Sequence, residues 1–379
     1  MTLNGAKIVI DSEVDTPALV LDLDIFEKNM KEMLQICEDH GVSLQPHAKT
    51  HRTLQIGKLQ QDLGADGLCV AKIGEGEGFA DAGIRRITVA YPIIGASKIE
   101  RALRLSERVE LTLGFDSLIG AQEIGKMFAA AGKKCSLLLI IDIGLGRDGV
   151  LPENAPQVAK SIASVPGVQL DGIMTHEGTV YASADQEELE SKSREVAELM
   201  VRTADSIRQE GLEIPRVSMG ASASARFAAT VPGVSQVRPG IFAFNDLGQV
   251  ALGNASLGQV AVRVIVTVVS RPTATSAVID GGSKTFSQDL LPAREMRGQY
   301  PGHGLIIDKP GWIIDRLSEE HGMLRFVGDG EPPSLEIGEK VQVIPNHICT
   351  VFSSLNECIP VSSGKVQAAW HTFAPGASR

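Results

Sequence analysis

Four stretches of the chain bring reactive side chains close together. Leu44-Gln-Pro-His-Ala-Lys-Thr-His-Arg52 follows a short apolar run and presents the amine of Lys49 between His47 and His51. A lysine at the end of a strand can form a Schiff base with a carbonyl cofactor once burial or a cationic neighbour lowers its pKa. On an extended strand His47, Lys49 and His51 would share one face; a solvated strand-end lysine is the competing interpretation. In Ile141-Asp-Ile-Gly-Leu-Gly-Arg-Asp-Gly149 the glycines allow backbone to approach a ligand, and Arg147 can bond a phenolic oxygen or a carboxylate, unless this is only a tight turn with a surface arginine. Val217-Ser-Met-Gly-Ala-Ser-Ala-Ser-Ala225 reads as strand, small-residue turn and helix start. Backbone N–H groups at the helix start, with the Ser222 and Ser224 hydroxyls, would make an anion cradle suited to a phosphate. Gly240 can add its N–H to the same anion, and the neighbouring Arg238 suits a cofactor contact, a dimer contact or a structural ion pair. Finally, Pro345-Asn-His-Ile-Cys-Thr350 sets His347 and Cys349 two residues apart. On an extended strand they would clamp one ion, and thiolate with imidazole favours Zn²⁺ over Mg²⁺ or Ca²⁺. Two ligands leave positions for water and substrate, although coincidence accounts for many such pairs.

These groups need elements to position them. Short β-type runs at Val42–His47, Gly67–Ala71, Ile87–Ala90, Glu110–Phe115, Ser136–Asp142, Val168–Thr175, Ile214–Met219 and Val234–Pro239 alternate with helical stretches. The helices are expected at Leu54–Leu63, Gly74–Ala82, Ser97–Glu107, Leu118–Ala131, Asn154–Ser164, Gln186–Gln209 and Ser222–Ala229. Eight evenly spaced units predict a parallel (β/α)₈ TIM-type barrel over residues 24–258, with a doubly wound sheet as the rival. Barrel chemistry gathers at the C-terminal strand ends. There the sequence offers Lys49, the Cys69–Lys72 stretch, Tyr91, Asp116, Arg147, His176 with Tyr181, the Gly220–Ser224 turn and Arg238. Asp24 is expected to cap a helix running to about His40, with Phe26, Met30, Met33 and Ile36 along its apolar stripe. From Gly258 the pattern changes to alternating β runs with Gly/Pro turns, so residues 259–379, with 1–23, form a mainly antiparallel β domain. Within it, His321 of Glu319-Glu-His-Gly322 is a candidate for approach to the metal or a partner subunit, and Asp280–Asp289 for a turn reaching the active site.

The 379 residues exceed one minimal domain, and 43% hydrophobic with 22% charged residues describes a globular protein. A net charge of −10 argues against nucleic-acid and membrane-surface partners. Residues 1–15 carry three acids and no long apolar core, so no signal peptide is expected, and no apolar run is long enough to span a bilayer. Five sparse cysteines without C-x-x-C pairing predict a reducing, cytoplasmic setting with most thiols buried.

Together these segments resemble the fold-type III pyridoxal-phosphate enzymes, in the branch of D-threonine aldolases and eukaryotic-type D-serine dehydratases. The resemblance rests on Asp15-Thr-Pro-Ala-Leu-Val-Leu-Asp, Pro46-His-Ala-Lys-Thr-His, Gly144–Gly149, Thr175-His-Glu-Gly178 with Tyr181, Arg238-Pro-Gly240, Asp280–Lys284, Glu320-His-Gly322 and Pro345-Asn-His-Ile-Cys. It implies that Lys49 holds pyridoxal 5'-phosphate as a Schiff base and that Arg147 lies near its phenolic oxygen. It also implies that His47, His176 and Tyr181 belong to the cofactor site, that Gly220, Ala221, Ser222 and Gly240 surround the phosphate, and that His347 and Cys349 bind a divalent metal. Zinc comes first, with manganese or magnesium as alternatives. The implied activity is retro-aldol cleavage of D-β-hydroxy amino acids by a homodimer. Dehydration to a 2-keto acid plus ammonia is the alternative, and an amino-acid racemase a more distant one. Two features depart from the family: the phosphate turn reads Gly-Ala-Ser where relatives are richer in glycine, and Cys349 matches the dehydratase pattern where some aldolases have Asp.

Overall fold

The computed structural model describes residue 8 and residues 14–373. They form two compact units, one from Lys31–Val180 and Glu187–Gly240, the other from the segment up to Met30 with Tyr181–Gln186 and Ile241–Thr372.

Strand β1 (Ala18–Asp22) belongs to the second unit. Eight parallel strands then build the first: β2 (Ser43–Leu44), β3 (Leu68–Val70), β4 (Arg86–Val89), β5 (Glu110–Phe115), β6 (Cys135–Ile140), β7 (Val168–Met174), β8 (Arg216–Met219) and β9 (Gln236–Val237). They pair in the order β2-β9-β8-β7-β6-β5-β4-β3. A parallel bridge from His47 to Cys69, with the Cys69 N–H donating to Pro46 O at 2.9 Å, joins the two ends and closes the ring. Closure excludes the doubly wound sheet. The strands read as near-continuous apolar runs because both faces are covered: Leu68, Cys69 and Val70, or Leu137, Leu138 and Leu139, are all buried. Polar residues that enter the ring are paired, as where Thr88 donates to Gln45 at 2.7 Å and Ser218 to Gln236 at 2.6 Å.

Helices lie where the sequence predicts them, including Leu118–Ala130, Ala155–Ala163 and the long Gln186–Gln209. Two expectations change. The first helix spans Leu23–Asp39, and its cap is Asp22, whose Oδ1 accepts the Ile25 N–H at 3.0 Å. Asp24 accepts instead from Ser362 and Ser363. The expected helix over Ser222–Ala229 contracts to Ala225–Ala228, because residues 222–224 are used by a turn.

The second unit contains β10 (Val262–Thr273), β11 (Ser276–Ile279), β12 (Gly304–Ile306), β13 (Trp312–Leu317), β14 (Gly322–Phe326), β15 (Lys340–Pro345) and β16 (Glu357–Ser362). Antiparallel pairings run β10-β11-β14-β13-β12-β15 and return to β10, making a closed six-stranded barrel. Strand β1 joins this module, pairing antiparallel with β10 and parallel with β16. Buried Phe244 packs tilted against Phe26 at 5.1 Å and edge-on to Phe352 at 5.3 Å between centroids. Four of the five free cysteines are buried, Cys349 being the exception. Among the described residues, no helix is long and apolar enough to cross a membrane.

Candidate active site

The lysine does not ride on a strand. After β2 the chain enters a 3₁₀ turn over Ala48–Thr50, with His47 as its N-cap and the His47 ring accepting the Lys49 N–H. The turn is fixed from the β9 side: the His47 N–H donates to Pro239 O at 2.9 Å, and a Cβ on Gly240 would lie 2.6 Å from Thr50 Oγ1. Only glycine permits that approach. The turn also breaks the shared face expected for His47, Lys49 and His51. His51 rotates into the core, edge-on to Phe79 at 6.0 Å, and its Nδ1 accepts the Thr53 N–H at 3.0 Å.

His47 and Lys49 instead line a cavity of about 550 Å³ at the strand ends, together with Arg147, His176, Gly220 and Arg238. The volume suits a cofactor-sized ligand. Arg147 sits on a loop organised by Asp142, whose Oδ1 accepts the N–H groups of Gly144, Leu145 and Gly146 at 3.0, 2.9 and 3.1 Å. Its guanidinium is half-exposed and pairs with Asp148 at 3.0 Å. Arg238 is buried, and its donors go to neutral acceptors: Ser218 Oγ at 2.7 Å, Thr175 O at 2.6 Å and Cys69 Sγ at 3.8 Å. It is a permanent cation in the cavity wall.

Burial, and then the positive charge of Lys49, Arg238 and Arg147, keep both cavity histidines neutral. His47 is held well below 6.5, and His176 is pushed down to about 3. Their tautomers differ. His176 Nδ1 faces Gly220 O at 3.4 Å, and a carbonyl only accepts, so Nδ1 bears the proton and Nε2 the lone pair. His47 Nδ1 accepts from Lys49 N at 3.5 Å, so its proton is on Nε2.

The small-residue turn meets the cavity at Gly220, where a Cβ would lie 2.7 Å from Thr175 O and 2.8 Å from Arg238 Nη2. Two N–H groups expected to bind an anion are already engaged. Gly220 donates to Glu177 Oε2 at 2.7 Å and Gly240 to Ser222 Oγ at 2.9 Å, because a carboxylate and a hydroxyl lie closer than the cavity. The four-residue helix Ala225–Ala228 is also too short to supply much dipole. Ala221 and Ala223 are buried, and among the described residues their N–H groups meet no acceptor. Buried orphan N–H groups are rare, so these two remain available to donate to an anion. Sequence reading missed the role of Glu177 and the rim residue Lys98; Tyr91, which it placed among the strand ends, does line the cavity and lies under the Lys72 ammonium at 3.4 Å.

The other candidate site lies in the second unit. His347 and Cys349 are not on a strand: β15 ends at Pro345, His347 caps the helix Ile348–Leu355, and Cys349 is in its first turn. The pairing survives, since the two side chains hydrogen-bond to each other. His347 Nδ1 also contacts Asp289 Oδ2 at 3.1 Å. Burial disfavours the imidazolium, but Cys349, Asp246 and Asp289 outweigh it and raise the His347 pKa. Asp246 is itself buried and accepts the Ile348 N–H at 3.1 Å, fixing the helix start. Among the described residues no group of three or more His, Cys, Asp or Glu is arranged to hold a metal. His347 and Cys349, with the Asp289 carboxylate on the imidazole, form an N/S pair one protein ligand short of the three usual in catalytic zinc sites. His321 is exposed in the turn joining β13 to β14, beside Glu320, which pairs with Lys284 at 2.8 Å. Tyr181 falls in a 3₁₀ turn of the second unit and does not line the cavity.

Comparison with known proteins agrees with this architecture. Residues 21–247, more than half of the chain, match the alanine racemase N-terminal domain, and residues 261–361 match a putative serine dehydratase domain. The chain is 28% identical to the D-threonine aldolase of Arthrobacter sp., over 97% of this chain and 94% of that protein. It is 31% identical to the D-threo-3-hydroxyaspartate dehydratase of Delftia sp., over 89% and 91%. The crystal structure of D-threonine aldolase from Filomicrobium marinum superposes with a TM-score of 0.87 at 29% identity, covering 97% of both chains. The chain therefore belongs to the alanine racemase N-terminal domain family, among the fold-type III pyridoxal-phosphate lyases that include D-threonine aldolase and D-serine dehydratase.

Proposed function

We propose that this lyase cleaves D-β-hydroxy amino acids between Cα and Cβ, giving glycine and an aldehyde, with pyridoxal phosphate and a divalent metal as cofactors. The observation that carries this reading is one cavity holding Lys49, Arg147 and two neutral histidines beside a turn with orphan N–H groups. These residues fit the cofactor: Lys49 would hold its aldehyde carbon, Arg147 a phenolic oxygen, and Ala221 and Ala223 its phosphate. Bound there, the pyridine ring supplies an electron sink for the substrate Cα. A metal on His347 and Cys349, zinc first, supplies a Lewis acid for the substrate oxygen.

The protein's own groups divide the remaining work. The His176 lone pair at Nε2 can take the β-hydroxyl proton, while His47 offers Nε2–H as a donor. Arg238 keeps a fixed positive charge facing the cavity without needing a carboxylate partner.

Dehydration is the second reading, favoured by the 31% identity to the Delftia dehydratase and by Cys349. In it Lys49 Nζ takes the Cα proton, and a keto acid and ammonia leave. Incubating the protein with D-threonine and D-serine, with and without chelator, separates the readings. Glycine plus acetaldehyde supports the aldolase, and a keto acid plus ammonia the dehydratase. Full activity after chelation removes the metal from the mechanism, and no product from either substrate sinks the substrate class. Homodimer assembly and a cytoplasmic location complete the proposal; sedimentation at about twice the 40.3 kDa chain mass checks the former.

A further inference from the structure

We infer that Glu177 is a positioning residue that shapes the Gly220–Ser224 turn for the cofactor's phosphate. The inference rests on the reading that this turn takes that phosphate. Glu177 is fully buried, and among the described residues it forms no ion pair. A buried carboxylate is costly unless donors satisfy it. Here two donors come from the turn, beside the residue's own backbone N–H: Oε2 accepts the Gly220 N–H at 2.7 Å, and Oε1 accepts the Ser224 hydroxyl at 3.0 Å. One side chain thus ties together the first and last residues of a five-residue turn.

The neighbouring residue completes the grip. His176 Nδ1 meets Gly220 O at 3.4 Å, so consecutive residues after β7 hold the N–H and the C=O of the same glycine. From the opposite side Gly240 N–H donates to Ser222 Oγ at 2.9 Å, pinning the middle of the turn. With both ends and the centre fixed, the Ala221 and Ala223 N–H groups stay unbonded within the protein. Preorganised donors of this kind bind an anion without reorganising. A glutamate has the reach for both ends, whereas an aspartate is one methylene too short. A glutamine keeps the span, since its carbonyl accepts from Gly220 and its amide donates to Ser224, whose hydroxyl can rotate to accept.

The test separates phosphate recognition from general stability. Apoprotein of the full chain is titrated with pyridoxal phosphate and with pyridoxal, which lacks the phosphate, and the dissociation constant for pyridoxal divided by that for pyridoxal phosphate is read by absorbance. Glu177→Asp is expected to lower that ratio by about tenfold, the effect of losing one well-made hydrogen bond. Ser224→Ala, which removes the second anchor while leaving Glu177 intact, should lower it in the same direction. Glu177→Gln should keep the ratio at or above that of the unaltered protein. The inference fails alone if the unaltered protein prefers the phosphate form and both Glu177→Asp and Ser224→Ala keep that preference, or weaken the two ligands equally. A Glu177→Gln variant as impaired as Glu177→Asp also overturns it, because the effect would then follow charge and not span. An unaltered protein that binds both ligands equally overturns the phosphate reading as well.

Discussion

His176 and His47 face one cavity with their protons on opposite ring nitrogens, and that difference assigns them different work. His176→Gln removes the cavity imidazole with its lone pair at Nε2, so kcat at saturating pyridoxal phosphate should fall by about 10²–10⁴. Because burial and three nearby cations hold His176 down at about 3, it stays unprotonated from pH 5 to 8. Any acid limb in that range therefore belongs to another group and should keep its midpoint in the residual activity of the variant. A second residue-scale prediction concerns Asp289. Its carboxylate engages His347 Nδ1, as outer carboxylates do where they orient metal-binding imidazoles. Asp289→Ala should weaken metal binding about 10–100-fold in a chelator competition, with the cofactor's absorbance band unchanged. Equal metal affinity in the two proteins would show that His347 needs no such partner.

At the scale of elements, β7 matters most because Thr175, His176 and Glu177 follow it directly. Its pairing with β6 slips by one residue, from Leu137 opposite Leu170 to Leu138 opposite Gly172. The unpaired Asp171 reaches Ser136 and Arg216, the latter at 3.2 Å. Gly172 permits the slip: its φ is +154°, and a Cβ there would lie 2.2 Å from Arg216 O. Gly172→Ala should therefore cost about 2–4 kcal/mol in urea denaturation, and it should weaken the cavity's hold on the cofactor through the same strand. The eight strands and their helices were legible in the sequence because apolar runs and their spacing report burial on both faces. Strand ends were not. Lys49 and His347 were both read on extended chain from neighbours two residues away, whereas the His47 ring and the Asp246 carboxylate turn the backbone into a 3₁₀ turn and a helix. Glu177 left no local trace, because its two partners lie 43 and 47 residues along the chain. Asp289 is 58 residues from His347, and such a pairing has no periodicity to read.

For the whole molecule the consequence is a dependence of stability on pH. His47, His51 and His176 all lie in the barrel unit, and burial comes first among the causes that hold each one neutral. His51 and His176 are pushed down to about 3, and His47 lies well below 6.5. In the unfolded chain each takes up a proton near pH 6.5, while the folded barrel excludes it. The unfolded state therefore binds more protons below that pH. The contribution of these three histidines to stability is complete above 6.5 and is lost as pH falls towards 3, at about 1.4 kcal/mol per pH unit for each fully protonated histidine. Glu177 and Asp246 act with the opposite sign: burial raises both carboxyls, so their folded forms hold protons more tightly, and they return some stability as pH falls towards the ordinary carboxylate range. The histidine effect should dominate between pH 6.5 and 5, where three groups act in one unit. Urea midpoints of the apoprotein should drop across that interval, and if the two units unfold in separate steps the barrel's step should move. His51→Asn tests the cause, since His51 packs on Phe79 and does not line the cavity. Its dependence on pH should be shallower by about one proton, near 1.4 kcal/mol per pH unit. An unchanged slope in that variant would mean that His51 titrates in the folded barrel much as it does in the open chain.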